Sequence, residues 1–364
     1  MTDNITKILE KKEFTRADLV NLLNENNPDK IELIRTKAYS IMKEYVGEEV
    51  YLRGLIEFSN VCHNDCYYCG IRKSNKNIKR YTLEESEIME SALWCAEQGY
   101  GSLVLQSGER QDKAFIDLVV NLVKKIKKET RSDKLPDGLG ITLCVGEQTK
   151  DTYKKFFDAG AHRYLLRIET SNPELFKSFH PDYQSFDNRV KCLEYLKEVG
   201  FQVGTGVMIG LPNQTTEDLA NDILFFKNYD IDMIGMGPFI VHKDTPLNYL
   251  FDEYLKKKRF LYDLSLRMIA VTRIFLKDVN IASTTALQAM YPMGREAGLM
   301  FGANVIMPLL TPTNVRKEYQ LYDGKPCIDE FANDCFECIQ LRIESTGRHI
   351  AFNVYGDSKH FSRK

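Results

Sequence analysis

The chain has 364 residues, of which 43% are hydrophobic, and its formal net charge is -2. A charge so close to neutral argues against general binding to nucleic acids or to anionic membranes. The length suits either two or three domains or a single barrel of about 250 residues with extensions.

The first 49 residues are charged and have a helical pattern, and they lack the apolar run of a signal peptide. Nowhere does the chain contain roughly 18 consecutive apolar residues, so we expect no transmembrane helix. We therefore predict a helical N-terminal extension over residues 1–49. We also expect a cytoplasmic protein, in which thiols stay reduced.

Short apolar or β-branched runs alternate with longer amphipathic segments through the rest of the chain. Strict alternation implies a parallel sheet, and eight units predict an α/β fold, a closed (β/α)8 TIM barrel, over residues 50–311. An open doubly wound sheet is the alternative, but no GxGxxG motif follows the first strand. Residues 312–364 are then a C-terminal extension. The eight predicted strands cover residues 50–58, 102–107, 140–145, 163–169, 202–210, 232–240, 280–287 and 303–310.

The segment between the first two predicted strands is typical of the helices. It reads "TLEESEIMESALWCAEQG" and has apolar residues at helical spacing. Thr82 is the candidate N-cap, and Gly99 is the expected stop signal at the C-terminal end.

Polar side chains stand near the ends of several predicted strands, where barrels of this class carry their active sites. Arg167 and Glu169 are two residues apart on the fourth strand and would share one face. Burying them is costly unless they pair with each other or bind a ligand. Their place at the catalytic end favours ligand binding, while a plain salt bridge or an outward-facing position is the alternative.

Six of the nine cysteines form two groups, and the first group has the spacing C-x3-C-x2-C at Cys62, Cys66 and Cys69. A structural zinc ion needs four ligands, and His63 adjoins Cys62 too closely to complete the tetrahedron easily. A disulfide would leave an odd thiol. A 4Fe–4S cluster normally takes four thiolates, so three leave one iron open for a substrate or cofactor. Zinc with a distant fourth ligand stays an alternative.

This motif, with the aromatic Tyr68 before its last cysteine, resembles the signature of radical S-adenosylmethionine (SAM) enzymes. The resemblance implies that SAM chelates the open iron and that the reduced cluster cleaves it to methionine and a 5′-deoxyadenosyl radical. The protein must then supply positioning and exclude water.

A narrower resemblance covers nearly the whole chain. Segments such as "LQSGE", "RYLLRIETSNPELF" and "IASTTALQAMYPMGREAGLMFGANVIMPLLTP" resemble the HydE family of FeFe-hydrogenase maturases. The second cysteine group, C-x7-C-x2-C, is similar to an auxiliary cluster site of many members, 2Fe–2S or 4Fe–4S. Taken alone, this group could equally be a zinc site or scattered thiols. Its residues are Cys327, Cys335 and Cys338.

The family resemblance implies roles for further positions. Glu169 suits the ammonium group of SAM, and Arg189 suits its carboxylate. The substrate's carboxylate would meet an arginine fork and hydroxyl groups. The alternatives are that Arg189 is a solvated helix residue and that Thr284 and Thr285 are ordinary strand residues. Met233 and Met307 could simply fill the hydrophobic core. The cofactor set is Tyr68, Gln106, Ser107, Glu169, Arg189, Met233 and Met307. The substrate set is Thr142, Arg167, Thr284, Thr285 and Tyr322.

The resemblance also implies a reaction and partners. The adenosyl radical would add to a sulfur atom of a cysteine-derived iron carbonyl cyanide complex, in assembly of the di-iron subcluster of FeFe-hydrogenase. The maturase HydG would deliver this complex, HydF would receive the product, and an electron donor would reduce the cluster. Radical addition to sulfur needs no protein base, so no catalytic side chain is nominated. A monomer is expected.

Three alternatives remain from the sequence. A biotin synthase-like enzyme needs cysteines where Thr142 and Gly204 stand. A methylornithine synthase-like lysine mutase would have to bind both ends of lysine, and no second acidic receptor is evident. The third alternative is a non-catalytic iron–sulfur carrier.

Overall fold

The structure is a computed structural model that describes residues 4–329 and 332–364, and in the last helix it describes the side chains from residue 336 onward. Eight parallel strands form a closed barrel, because the last of them pairs with the first. The predicted TIM barrel is therefore confirmed. The barrel strands are β1 (Glu49–Ser59), β2 (Ser102–Ser107), β3 (Gly140–Cys144), β4 (Arg163–Leu165), β5 (Gln202–Thr205), β7 (Met233–Gly235), β9 (Asn280–Ala282) and β10 (Val305–Ile306).

Three short strands lie outside this closed circle. The pair β6 (Met208–Ile209) and β8 (Gly237–Pro238) forms a second, two-stranded sheet, and β11 (His349–Ala351) pairs with β1. The helices are α1 (Asn4–Leu9), α2 (Arg16–Leu23), α3 (Pro28–Tyr45), α4 (Glu85–Glu97), α5 (Lys113–Glu129), α6 (Lys150–Asp158), α7 (Pro173–Phe179), α8 (Phe186–Val199), α9 (Thr216–Asn228), α10 (Phe251–Leu276), α11 (Thr285–Met290), α12 (Gly294–Met300), α13 (Thr313–Arg316) and α14 (Ala332–Glu344), with 3-10 turns at Pro246–Leu250 and Phe361–Arg363.

Helices α1 to α3 precede the barrel and pack against it. Leu19 and Ile34 are fully buried and belong to the same hydrophobic core as the apolar residues between the strands and the outer helices. The helices begin where capping predicts, since Thr15 accepts from the backbone of Asp18 and Asn27 precedes Pro28. The division into an extension, a barrel and a second extension stays a prediction. Within the described residues, no helix is both long and apolar enough to span a bilayer.

Helix α4 begins later than predicted. Thr82 is not its N-cap, because the Thr82 hydroxyl lies 2.8 Å from the Ser59 hydroxyl and the two residues form an isolated bridge. Glu84 occupies the N-cap position instead. Gly99, with φ of +76°, follows the end of the helix as predicted.

The predicted fourth strand ends too late, because its ladder stops at Leu165. Beyond that point the Thr205 side chain replaces a ladder partner: its hydroxyl accepts from Ile168 N at 3.0 Å and donates to Leu166 O at 2.8 Å. Glu169 then adopts a φ of +65°, which no strand residue has. Arg167 and Glu169 consequently lie on an irregular segment at the barrel mouth.

The chain after β11 closes the N-terminal end of the barrel. Arg163, which is 0% exposed, donates to Asp357 Oδ1 at 2.5 Å and to Tyr355 O at 2.8 Å. Arg53 and Asn280 both donate to Gly356 O, at 3.0 and 2.9 Å. The lumen is thus sealed where the strands begin.

Helix α9 holds the segment that leads away from Glu169. Ser171 N donates to Asp222 Oδ1 at 2.6 Å, and Asn172 Nδ2 donates to Asp218 Oδ1 at 2.8 Å. Asp222 is fully buried and its Oδ2 has no hydrogen-bond partner. Burial raises the pKa of Asp222 to about 7.

The pKa of Asp222 predicts a pH-dependent stability. Because the folded pKa lies above the ordinary value of 3.8, the folded state favours the protonated form, and its stability falls as the pH rises from about 4 to about 7. The variant Asp222→Asn lacks this ionisation. Between pH 5 and pH 8, the free energy of unfolding of the wild type, measured by chemical denaturation, should fall by about 2–4 kcal/mol relative to that of the variant. A difference between the two proteins that does not change with pH would contradict the prediction.

Candidate functional site

The three cysteines of the first group lie on the loop after β1, at the barrel mouth. Cys62 Sγ accepts from the N–H groups of Asn64 and Glu109, each at 3.4 Å. Cys66 Sγ donates to Gln184 Oε1 at 3.2 Å. Backbone donors around a sulfur stabilise a thiolate, so the loop is suited to a deprotonated, metal-bound state.

Two glycines allow this loop to be packed closely. A Cβ at Gly108 would lie 2.8 Å from Cys62 Cβ and 2.5 Å from the carbonyl oxygen of Val61. A Cβ at Gly70 would lie 2.0 Å from the carbonyl oxygen of Gln320. Both positions therefore require glycine if the loop is to lie between β2 and the C-terminal segment.

The protein environment keeps these cysteines protonated when no metal is bound. Burial raises the pKa of Cys62, raises that of Cys66 to about 12, and raises that of Cys69 well above its ordinary value. A bound metal must therefore supply the charge that stabilises the thiolates.

Among the described residues, no three His, Cys, Asp or Glu side chains could hold a single metal ion. An iron–sulfur cluster has a different requirement, since its thiolate ligands bind separate irons. Three sulfur donors on one loop fit such a cluster.

Tyr68 is partly buried and packs against His180, which the sequence did not single out. The His180 Nδ1–H donates to Phe176 O at 2.7 Å, so its Nε2 accepts from the Tyr68 hydroxyl at 3.2 Å. Burial lowers the pKa of His180 to about 3, and the ring is neutral. The edge of one ring faces the other, with centroids 5.4 Å apart. This packing fixes the aromatic residue that precedes Cys69.

Arg167 and Glu169 form the ion pair that the sequence allowed as an alternative to ligand binding. Arg167 Nε lies 3.0 Å from both carboxylate oxygens of Glu169, and its Nη1 donates to Gly235 O at 3.0 Å. Both residues lie at the mouth, and Glu169 has a strained backbone there because its φ is positive. Strain of this kind is typical of functional sites.

Arg189 is 6% exposed, so it is not a solvated helix residue. Its Nε donates to Glu147 Oε1 at 2.5 Å, and its Nη1 donates to Arg167 O at 2.5 Å. Burial opposes the charge, but the carboxylates of Glu147 and Glu109 outweigh this effect and raise the pKa of Arg189. Glu147 was not predicted, because nothing in "VGEQT" signals its distant partner.

The remaining cofactor and substrate candidates divide between the mouth and the lumen. Thr142, Met233 and Met307 line one lumen cavity. Near the mouth, Gln106 Nε2 donates to the Tyr319 hydroxyl at 3.3 Å, and the Thr285 and Tyr322 hydroxyls are 2.8 Å apart. The hydroxyls of Ser107 and Thr284 donate to the carbonyl oxygens of Gly108 and Met236, at 2.8 and 3.1 Å.

The lumen also contains Arg53, which the sequence did not reveal as a lumen residue. It is buried beside the cavity, and its Nη1 lies 3.0 Å from Met233 Sδ. Its Nε has no hydrogen-bond partner. Burial and the nearby Arg163 lower its pKa well below the ordinary value.

The second cysteine group lies partly outside the described residues. Cys327 has a φ of +63°, and its carbonyl oxygen accepts from Arg316 Nη1 at 2.9 Å. Cys338 is exposed on α14, whereas the side chain of Cys335 is not among those described. Of the three cysteines outside the two groups, Cys95 and Cys192 are buried, whereas Cys144 is only partly buried.

Comparison with known proteins places this geometry in a family. The Radical SAM superfamily profile matches residues 56–226. The FeFe hydrogenase maturase subunit HydE of Thermotoga maritima is 46% identical over 94% of this chain and 94% of its own length. The 3-methylornithine synthase of Methanosarcina acetivorans is 28% identical over 95% and 93%. A crystal structure of methylornithine synthase superimposes with a TM-score of 0.80 at 26% identity and covers 96% and 97% of the two chains.

The geometry of the loop predicts which cysteine removals abolish metal binding. Cys66→Ala should lose the iron and the visible absorbance of the first cluster on anaerobic reconstitution with iron and sulfide, because two thiolates hold a cluster poorly. Cys192→Ala, a buried cysteine away from the loop, is the matched control and should load like the wild type. Full loading of the Cys66 variant would show that the loop is not the metal site.

Proposed function

The chain belongs to the HydE family of FeFe-hydrogenase maturases, and on that premise we propose which residues carry its radical SAM chemistry. Cys62, Cys66 and Cys69 would hold a 4Fe–4S cluster. When bound, the reduced cluster supplies the electron that cleaves SAM to methionine and a 5′-deoxyadenosyl radical. The observation that carries the proposal is the position of the three-cysteine loop after β1, at the mouth of a closed barrel.

The cofactor's charged groups would be received by residues that already lie at the mouth. Glu169 would accept the ammonium group, and Arg189 would bind the carboxylate. Glu147 supports this role because it fixes the guanidinium of Arg189 through a 2.5 Å hydrogen bond. Tyr68, Gln106 and Ser107 would complete the cofactor's surroundings at the mouth, and Met233 and Met307 would approach it from the lumen cavity that they line.

The substrate we propose is a cysteine-derived iron carbonyl cyanide complex, whose sulfur atom the adenosyl radical attacks. Its carboxylate would meet Arg167 together with the hydroxyls of Thr284, Thr285 and Tyr322. The 2.8 Å contact between Thr285 and Tyr322 supports this arrangement, because both hydroxyls can rotate to donate to an incoming anion. Thr142 would line the same path deeper in the lumen. No side chain is proposed as an acid or base.

The proposal extends to partners and to a second cluster. HydG would supply the complex, HydF would receive the product, and a reductant would charge the first cluster. Cys327, Cys335 and Cys338 would hold an auxiliary iron–sulfur cluster away from the radical chemistry. The chain would work as a cytoplasmic monomer.

A lysine mutase of the methylornithine synthase type is the second candidate, favoured by the TM-score of 0.80. Against it stands the lining of the lumen cavity, which includes Arg53 but no carboxylate among its described residues that could receive the ammonium group of a lysine side chain. A biotin synthase-like site is weaker still. The positions where such an enzyme needs cysteine ligands for a second cluster hold Thr142 and Gly204 in this chain.

Anaerobic turnover tests the proposal. The reconstituted, dithionite-reduced protein should convert SAM into 5′-deoxyadenosine and methionine, measured by liquid chromatography, and the Cys66→Ala variant should not. Absence of 5′-deoxyadenosine with a fully loaded protein would refute radical chemistry. Addition of lysine separates the two candidates, because formation of methylornithine would replace the maturase assignment with the mutase.

A substitution at Arg167 tests the substrate site. Arg167→Ala should assemble the first cluster normally but use the substrate at least about tenfold less well, since it lacks the charge that receives the carboxylate. Arg167→Lys is the control that keeps the charge without the planar fork, and it should be intermediate. Iron content and product formation measure the two effects. Loss of the cluster in Arg167→Ala would refute the assigned role.

A further inference from the structure

The segment 316–327, which we call the cap, crosses the barrel mouth and is tied to the cysteine loop. The Gly70 N–H donates to Leu321 O at 3.0 Å. The Asn60 side chain donates to Glu318 O at 2.7 Å, and the Glu318 carboxylate accepts from Lys79 N at 2.7 Å. The cap therefore has a fixed position relative to the loop that carries Cys62, Cys66 and Cys69.

A buried ion pair joins the cap to the barrel itself. Lys325 Nζ lies 2.5 and 2.6 Å from the two carboxylate oxygens of Glu57, a β1 residue. The same Nζ donates to Tyr319 O at 3.0 Å and lies 5.3 Å from the Tyr319 ring centroid. The side chains of Lys325 and Glu57 are only 6% and 2% exposed, so water does not screen the attraction.

Two tyrosines of the cap contact the residues proposed to bind the cofactor and the substrate. The Tyr319 hydroxyl accepts from Gln106, and the Tyr322 hydroxyl meets Thr285. Lys325 donates a hydrogen bond to the backbone carbonyl of Tyr319 and lies three residues after Tyr322. A change at Lys325 would therefore reach both tyrosines over a short stretch of chain.

We infer that Lys325 and Glu57 are positioning residues: their buried ion pair holds the cap so that Tyr319 and Tyr322 order the cofactor and substrate pockets at the mouth. Neither residue touches the reacting atoms. The pair acts through the cap, and removal of one partner leaves the other charge buried without compensation. The inference rests on the proposed function for its effect on SAM, but not for its effect on the order of the cap.

Two measurements on the full-length, reconstituted protein test the inference. In Lys325→Met, amide hydrogen exchange of peptides covering 316–327 should be at least about tenfold faster than in the wild type. The KM for SAM in reductive cleavage should rise at least about fivefold, with a smaller change in kcat, because Gln106 loses its fixed partner. The iron content of the first cluster should not change, because Cys62, Cys66 and Cys69 lie outside the cap.

Further variants separate positioning from loss of the fold. Glu57→Gln keeps a hydrogen-bond acceptor for Lys325 and a similar side-chain volume. It should raise the exchange rate of the cap and the KM for SAM, but by less than Lys325→Met does. Glu57→Leu with Lys325→Met removes both charges and should restore most of the slow exchange in the cap. Lys113→Met breaks the exposed Lys113–Asp117 pair, whose side chains are 87% and 53% exposed, and should change neither quantity.

Three results would overturn the inference. The first is a cap in Lys325→Met that exchanges as slowly as in the wild type. The second is faster exchange with an unchanged KM for SAM, which would show that order in the cap does not reach the cofactor. The third is a Glu57→Gln protein whose cap exchange and KM for SAM are both identical to those of the wild type. This result decides the question if Lys325→Met does not fold. A wild type that forms no 5′-deoxyadenosine contradicts the proposed function instead, and the exchange result still decides the role of the pair in the cap.

Discussion

Buried ion pairs inside the barrel organise the described structure, and Arg53, whose pKa burial lowers well below the ordinary value, is the exception to this pairing. An isolated charge in a low-dielectric interior is too costly to keep. Arg163 is matched by Asp357 at the sealed end, and Lys325 by Glu57 under the cap. The mouth itself is ordered in the same way, through the pair of Arg167 with Glu169 and that of Arg189 with Glu147. Three of these four pairs tie together segments that the strands alone would leave apart, whereas Arg167 and Glu169 belong to one segment.

Ion pairs at a mouth have a property that ion pairs in a core lack. Arg167 remains 29% exposed in its side chain, whereas Arg163 is completely covered. A ligand with both an ammonium and a carboxylate group can therefore join the charges at the mouth without leaving any of them unmatched. The cost of desolvating these residues has already been met in the folded protein, which is what preorganisation means in energetic terms. Under the proposed function, the same residues would serve stability without a ligand and recognition with one.

The sequence predicted the features that depend on local spacing. Eight alternating units indicated the barrel, and C-x3-C-x2-C after the first strand indicated the metal loop, because both patterns lie within short windows. The expected shared strand face of Arg167 and Glu169 was not found, because both residues lie beyond the end of β4 on an irregular segment. Strand ends were predicted less well, since the fourth strand stops where the Thr205 hydroxyl takes over hydrogen bonds of the ladder. The end of the fourth strand therefore depends on a side chain from β5, and no pattern within the fourth strand indicates that contact.

The partners of the charged residues could not be predicted for the same reason. Arg189 and Glu147 are 42 residues apart in the sequence, and Lys325 and Glu57 are 268 apart. Each of these four residues, considered alone, resembles any solvated charge. Only barrel closure, which makes the last strand a neighbour of the first, brings the C-terminal cap over β1 and converts two ordinary charges into a buried pair. The ion pair attaches the cap to the first strand, and the cysteine loop begins where that strand ends. Under our inference, this connection allows a segment outside the barrel strands to order the mouth.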